Sequence, residues 1–485
     1  MTENKVTLSK YDLAFIGIFI FAIAVRLYFF YVTQNQALWW DGAEYMNMAK
    51  NFVGTYNAEW WPGRPILMPL LWAGMLKLGF GETALKFLVT IFSVVGILFT
   101  YLTIKNMYDK RTAVVTTALL SAFWLHLFYS ARMLVDVPSL TMWTIIIYFF
   151  WKAIDTKDWK YYILTGIFVA LGTLVRFPIL IIGVLILIYL VATERHKFLF
   201  DKNIWLMAGG SLAVMVPYFI WATLKFGSPF YQILFGSGAA GQTFGLPSLL
   251  AYLRLFPVYF TTVGLILFVI GLYMFVDTIL GMDLLNKISG ENKRLRNNFF
   301  ILLWLLIPLI YFATQSRTEE RYIIFIFPAA FLIITKGIFY IETLLKRVQL
   351  NLAHAVAVIL IIAIVILQLG AANTSITNSV NSYAPIKEVG IWLNENTPKD
   401  SVIYTMSIPQ IEYYAERKTL SYGGTAEDFN KIISAGGNSY FMISAFEGHP
   451  DWVVDYLSKN TNLELLRTYE DENQQLVLIL YKIKT

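Results

Sequence analysis

Residues 160–193 read KYYILTGIFVALGTLVRFPILIIGVLILIYLVAT. Two apolar runs meet at Arg176-Phe177-Pro178. Read as one kinked helix, the stretch crosses a membrane once; read as two helices joined by a tight turn, it crosses twice. The choice reverses the side of every later loop. Each half approaches the ~20 residues that span a ~30 Å hydrocarbon core, and proline with its preceding residue disfavours an unbroken helix. Outward from this stretch, apolar runs recur at about 12–32, 84–104, 112–130, 138–154, 204–224, 259–280, 298–314, 323–341 and 353–371. With the split there are eleven spans.

Positive charge supports the split. With eleven spans and a cytoplasmic N-terminus, KNMYDKR, KAIDTKDWK, TERHKFLFDK, NKISGENKRLRNN and ETLLKRVQ all lie inside. That matches the enrichment of Lys and Arg in cytoplasmic loops. The first outside loop covers 33–83, and its apolar segment 65–79, interrupted by Pro69, reads as an interfacial helix. The other outside segments are ARMLVDVP, the Gly-rich stretch around 225–245, QSRTEERY and the C-terminal part. Lys5 and Lys10 precede the first span with no small-residue cleavage pattern after it, which reads as an uncleaved anchor.

Composition agrees. The chain is 57% hydrophobic and only 14% charged, against about 25% charged in ordinary soluble domains, and its mean hydropathy is +0.59. It has no cysteine, which excludes disulfides, thiolate metal sites and cysteine nucleophiles. Residues 372–485 carry 9 Lys+Arg against 14 Asp+Glu, and the preceding part carries 29 against 18. The basic excess lies between spans, where membrane orientation accounts for it and no nucleic-acid partner is implied. The expected architecture is an all-α polytopic membrane bundle over 1–371 followed by a small soluble α/β domain over 372–485. In the latter, APIKEVGIWLNEN and DWVVDYLSKN read as helices and DSVIYTM, SYFMIS and QLVLILYKI as strands.

Chemistry gathers on the outside face. In ALWWDGAEYMNMAKNF (37–52), Asp41 and Glu44 are three apart behind two tryptophans. One reading is a capping box that opens a helix at Gly42, with Ala43, Met46 and Phe52 toward the membrane; the other is a working pair of carboxylates. Arg132 and Asp136 share a very short loop, where charge beside hydrocarbon is costly unless paired or used. They can pair with each other one helical turn apart. Arg64, before the interfacial helix, suits a phosphate whose lipid tail lies in the bilayer, or else snorkels at the interface. Arg317, Glu319, Glu320 and Arg321 crowd one turn, as a self-neutralising network or as part of a site. Carboxylates and arginines converging on one rim fit transfer from a lipid-linked phosphosugar. Phosphate leaves without a general acid, one carboxylate suffices as base, and arginine stabilises the departing anion. No two of His126, His354 and His449 share a helix face at metal-ligand spacing. A transporter or flippase of lipid-linked sugar is the alternative, although such proteins usually place ionisable groups near the midplane of repeated halves.

The order of these motifs resembles the GT-C superfamily of integral-membrane glycosyltransferases, in particular the protein O-mannosyltransferase and lipid A aminoarabinose transferase families. Arg26-Leu27-Tyr28 matches the motif ending the first span, and DGAEYMNMAKNFVG matches the first outside loop through Asp41, Tyr45, Ala49 and Gly54. Arg64-Pro65 matches a basic residue–proline step; Arg132, Asp136 and Pro138 match the second acidic loop; Arg321-Tyr322 and Pro328 match a late element. The sequence departs from the family at Gly42 and Gly63, where relatives carry carboxylates. The resemblance implies an inverting transferase acting on a polyprenyl- or dolichyl-phosphate sugar, mannosyltransferase-like, with a glycan or protein hydroxyl as acceptor. Asp41 would be the general base, with Asp136 and Glu44 as further catalytic carboxylates. Arg64, Arg321, Arg132, Tyr45, Tyr322 and Arg26 would hold the donor and its phosphate. It leaves a divalent metal ion open as a cofactor. The implied location is the plasma membrane, with the C-terminal domain extracytoplasmic.

Overall fold

The structure, a computed structural model, describes residues 8–239, 246–280, 292–315, 317–434, 438–459, 462–471 and 473–484. Helix α1 (Lys10–Thr33) crosses the bundle, and α2 (Trp40–Val53) and α3 (Leu67–Lys77) lie at the end it reaches. α4 (Glu82–Met107) runs back, and α5 (Lys110–Ala122) with α6 (Trp124–Tyr129) returns. α7 (Asp136–Thr156) and α8 (Trp159–Val175) form a hairpin; α9 (Ile181–Glu194) and α10 (Lys202–Phe226) follow, with α10 packing back on α8. The short helices α11 (Tyr231–Ala239) and α12 (Leu246–Arg254) lead to α13 (Phe256–Leu280), α14 (Lys293–Ala313), α15 (Phe327–Lys346) and α16 (Leu350–Thr377).

Among the described residues, nine helices are long and apolar enough to cross a membrane. The other two expected spans are present in altered form. α8 has 17 residues, and the span expected at 112–130 is broken at Phe123 into α5 and α6. At that break the Trp124 N–H donates to Gln368 Oε1 of α16 at 3.1 Å, and the Gln368 amide donates to the Tyr259 carbonyl at 2.7 Å. A side chain from a neighbouring helix thus satisfies backbone groups that hydrocarbon could not. The 160–193 stretch divides as the charge pattern requires. α8 ends at Val175, Arg176 is extended, a 3-10 turn covers Phe177–Leu180, and α9 starts at Ile181. Small residues let helices meet closely. A Cβ at Gly166 would lie 1.9 Å from the Met207 carbonyl oxygen, and one at Gly337 would lie 2.1 Å from that of Leu267. α8 therefore packs on α10, and α13 on α15, by near backbone contact, the usual way lipid-exposed bundles gain cohesion.

After α16 come α17 (Ala384–Asn396), β1 (Val402–Tyr404), α18 (Ile408–Ala415), β2 (Lys418–Leu420), α19 (Ala426–Ser434), β3 (Ser439–Ser444), α20 (Trp452–Lys459), β4 (Leu463–Glu470) and β5 (Leu476–Ile483). The sheet order is β2-β1-β3-β5-β4, with β1 parallel to β2 and β3, and β5 antiparallel to β3 and β4. The expected strands and helices are present; β2, β4, α18 and α19 are additional to the sequence reading. Helix α18 docks on α2. Asn47 Nδ2 donates to the Pro409 carbonyl at 2.9 Å, Lys50 Nζ donates to the Tyr413 carbonyl at 2.8 Å, and the Leu38 N–H donates to Tyr414 Oη at 2.8 Å. Much of the Gly-rich stretch, at 240–245, lies outside the described residues, as does Ser316 of the QSRTEERY turn.

Candidate functional site

Helix α2 begins at Trp40, not at Gly42, and no side chain caps it. The capping-box reading of Asp41 and Glu44 is therefore incorrect. Asp41 sits in the first turn and turns its carboxylate away from the helix's own N–H groups. Ala43 and Met46 are fully buried in the bundle rather than facing lipid. Gly42 has a steric reason: a Cβ there would come 2.9 Å from the Met133 carbonyl oxygen. Any side chain there, an acidic one included, would collide with the 130–135 loop.

Asp41 is held between two guanidinium groups. Arg64 donates to Asp41 Oδ1 at 2.6 Å, and a terminal nitrogen of Arg321 lies 2.7 Å from Oδ2. Arg64 also donates through Nε to Glu44 at 2.6 Å, and its plane faces the Tyr45 and Trp61 rings at 5.1 and 5.4 Å. Trp40 Nε1 donates to Glu44 at 3.2 Å. Arg321 donates through Nε to Glu319 at 2.6 Å and approaches Asp136 at 3.7 Å. Asp136, only 2% exposed, receives its shortest contact from Arg176 at 2.7 Å. Arg176 in turn faces the Tyr322 ring at 5.4 Å, and the Tyr322 hydroxyl donates to Glu319 at 3.3 Å. Burial pushes the Asp41 carboxyl up, but Arg64 and Arg321 outweigh it and hold the group below the usual carboxylate range.

Asp41, Glu44, Tyr45, Arg64, Asp136, Arg321 and Tyr322 are thus brought together. Arg132 and Arg26 are not. Arg132 does not pair with Asp136: its guanidinium lies 3.5 Å from the Phe128 ring centroid and 4.9 Å from that of Trp39, and it donates to the Phe128 carbonyl. Arg26 is wholly buried within the bundle, bonded to Ser93 Oγ at 2.6 Å, the Ser121 carbonyl at 3.2 Å and His126 Nδ1 at 3.0 Å. It does not snorkel. It holds α1 to α4 and to the α5–α6 break.

Arg176 and Gln232 were not read as site residues from the sequence, whereas Glu319 belongs to the 317–321 cluster read there as a network or part of a site. Gln232, on α11 and fully buried, donates to the carbonyls of Pro62 and Arg64 at 2.9 and 3.0 Å, which fixes the loop that carries Arg64. For Arg176 the signal was present: a charge inside a three-residue break between two apolar spans, on the face where the carboxylates gather. Asp41, Glu44, Arg64 and Arg321 line a cavity of about 660 Å³ that Trp40, Trp61, Gln315, Arg317 and Tyr322 also wall. Among the described residues no group of three or more His, Asp or Glu is arranged to hold a metal ion. Asp41, Glu44 and Asp136 each face arginine instead, a donor set that does not fit a resident cation.

Residues 63–221 match the family described as dolichyl-phosphate-mannose-protein mannosyltransferase. Among solved structures, ArnT from Cupriavidus metallidurans in the apo state superposes with a TM-score of 0.68 at 12% identity, covering 96% of this chain and 98% of that one. The chain has the GT-C fold. ArnT bound to undecaprenyl phosphate matches this chain with a TM-score of 0.61 at 12% identity over the same shares of both chains. The oligosaccharyltransferase of Archaeoglobus fulgidus, in its apo form, matches with a TM-score of 0.64 at 13% identity, over 88% of this chain and 69% of that one. The same archaeal enzyme, AglB, has been solved with an inhibitory peptide and a dolichol-phosphate. Comparison with curated protein sequences yields no match. With its apolar helices, the GT-C fold makes this an integral membrane protein.

Proposed function

We propose that this protein is an inverting glycosyltransferase that moves a monosaccharide from a polyprenyl- or dolichyl-phosphate donor to an extracytoplasmic hydroxyl, on a protein or a lipid-linked glycan. The observation that carries the reading is Asp41 gripped by Arg64 and Arg321 in a cavity at one end of an apolar bundle. The relatives whose structures hold undecaprenyl phosphate or dolichol-phosphate support the donor class. The matched family makes mannose the first sugar to test. Apolar Leu70 and Leu71 of α3, the helix that follows Arg64 in the chain, stay exposed, a surface suited to the carrier's lipid chain.

The arginines define the chemistry. In the free protein they neutralise Asp41, which makes it a weak base. A donor phosphate competes for both guanidiniums, and as they turn to it the carboxylate loses its counter-charges and gains basicity. Asp41 then takes the acceptor hydroxyl proton while the acceptor oxygen attacks the anomeric carbon from the face opposite the phosphate. The new glycosidic C–O bond forms as the C–O bond to phosphate breaks. The phosphodiester monoanion leaves as a phosphomonoester with one more negative charge, matched by the proton on Asp41. Arg64 and Arg321 meet that added charge where it develops, and Asp136, held by Arg176, keeps Arg321 oriented. The N-terminus is assigned to the cytoplasm and residues 372–485 to the outside of the plasma membrane, following the distribution of Lys and Arg among the loops.

The test incubates purified protein with a panel of radiolabelled polyprenyl-phosphate sugars, mannosyl first, and follows the label. Transfer to protein or glycan that is lost in Asp41→Asn supports the reading. Movement of intact donor across a vesicle bilayer without transfer would replace it by a flippase.

A further inference from the structure

We propose that the end of the bundle opposite Asp41 holds a binding site for the phosphate of an anionic glycerophospholipid. The site lies where α4 ends, α14 begins and α13 and α15 close the sides. It is a cavity of about 640 Å³ lined by Tyr108, Phe275, Arg294, Asn297, Lys336 and Phe339, among others. The inference is independent of glycosyl transfer, because none of these residues belongs to the site at Asp41.

Charge at this cavity is unbalanced. Lys293, Arg294 and Lys336 line it, against one carboxylate, Asp109. Asp109 is already engaged as the cap of α5, accepting from the Thr112 N–H at 2.8 Å and the Thr112 hydroxyl at 2.7 Å. Lys293 is neutralised by Asp155 at 2.9 Å. The nearby Glu342 is taken up by Arg111, Lys346 and His354. Lys336 is half-buried, donates to Thr112 Oγ1 at 3.2 Å and lies 4.4 Å from the Tyr108 ring centroid. Among the described residues, neither Lys336 nor Arg294 has a carboxylate within ion-pair distance. Asn297 Oδ1 is buried beside them without a hydrogen-bond partner.

Half-buried Lys336 and exposed Arg294, neither paired with a carboxylate among the described residues, give this partly open cavity an excess of positive charge that suits an anion from outside the chain. The walls decide which anion. Met107, Phe275 and Phe339 line the cavity and offer acyl-chain contact, and its position at the ends of spans is where lipid headgroups reside. Basic pockets between spans at this depth suit anionic headgroups, and each charge there is worth about fivefold in binding. Phosphate is the shared chemistry of a lipid headgroup and a small soluble ester, and the experiment separates the two.

The full-length protein is delipidated in neutral detergent and its binding of a fluorescent phosphatidylglycerol is measured, with phosphatidylcholine as reference. Competitors are unlabelled phosphatidylglycerol and glycerol 3-phosphate. The expected result is a preference for phosphatidylglycerol that falls about fivefold in Lys336→Gln or Arg294→Gln and about 25-fold in the double variant. Lys157→Gln, an exposed cation at the same end, should leave it unchanged. Glycerol 3-phosphate should not displace the lipid. Equal affinity for the two lipids, an unchanged preference in the double variant, an equal loss in Lys157→Gln, or displacement by glycerol 3-phosphate would each overturn the proposal. Circular dichroism and size-exclusion profiles that match wild type show that the double variant is folded.

Discussion

The guanidinium of Arg321 lies 2.7 Å from the carboxylate of Asp41, and the same side chain reaches Glu319 at 2.6 Å and Asp136 at 3.7 Å. One planar cation thus bridges the first outside loop and the α7 loop. Arg321→Gln should raise the donor KM by about 10- to 100-fold, the range for losing a hydrogen bond to a charged group, and should lower kcat as well. Arg321→Lys should rescue little, because a point charge cannot span carboxylates that a fork holds together. Steady-state kinetics on both variants checks this; full rescue by lysine would show that charge alone is required.

Asp41 supplies a pH signature with a definite sign. Its carboxyl is held below the usual range in the free protein by Arg64 and Arg321, against the opposing effect of burial. The acid limb of kcat/KM, which reports the free enzyme, should therefore fall below the ordinary carboxylate value of about 4. If a donor phosphate draws the arginines away, the limb of kcat, which reports the complex, should lie at higher pH. Coincident limbs would mean that the arginines stay on Asp41 through turnover. Asp41→Asn should bind donor and transfer nothing.

Arg176 and Asp136 form a buried pair at 2.7 Å. Breaking it from one side leaves a charge without its closest partner, which costs about 3–5 kcal/mol in buried pairs. Arg176→Gln should therefore lower the unfolding temperature in detergent and reduce activity. The double variant Arg176→Gln/Asp136→Asn should recover much of the stability but not the activity. A double-mutant cycle checks this; additive effects on stability would show that the two groups are not coupled.

The membrane architecture was legible because each span is a long apolar run and the loops alternate in charge. The break at Phe123 was not, because it depends on Gln368 from a helix far along the chain supplying the missing acceptor. In the site, Asp41, Arg64, Asp136 and Arg321 could be read because each is a charge beside an apolar run on one face. Partner choice could not be read. Sequence spacing favours Arg132 for Asp136, but the fold gives Asp136 to Arg176 and turns Arg132 onto Phe128. Arg176 carries a signal, a charge inside the break, but Pro178 and the turn account for that three-residue step without it. The docking of α18 on α2 rests largely on contacts to backbone carbonyls, such as those of Pro409 and Tyr413, which leave no trace in side-chain pattern.

That docking makes a last prediction, about pH and the C-terminal segment. Glu412 of α18 is 5% exposed and accepts a hydrogen bond from the Glu59 N–H at 3.1 Å. Burial pushes its carboxyl up to about 7; the bond from the Glu59 N–H opposes the rise, and the nearby Glu59 charge adds to it. A raised carboxyl binds its proton more tightly in the folded state. Its contribution is therefore intact below the unfolded value of about 4.3 and is lost as pH rises toward 7. The loss should amount to about 1–3 kcal/mol. Glu412→Gln, neutral at every pH, should match wild type near pH 4.5 and become progressively more stable than it by pH 7.5. Thermal unfolding of the full-length protein in detergent across this range measures the gap. Parallel curves for the two proteins would mean that Glu412 titrates as a solvated carboxyl, and that the α18–α2 contact carries no proton-linked term.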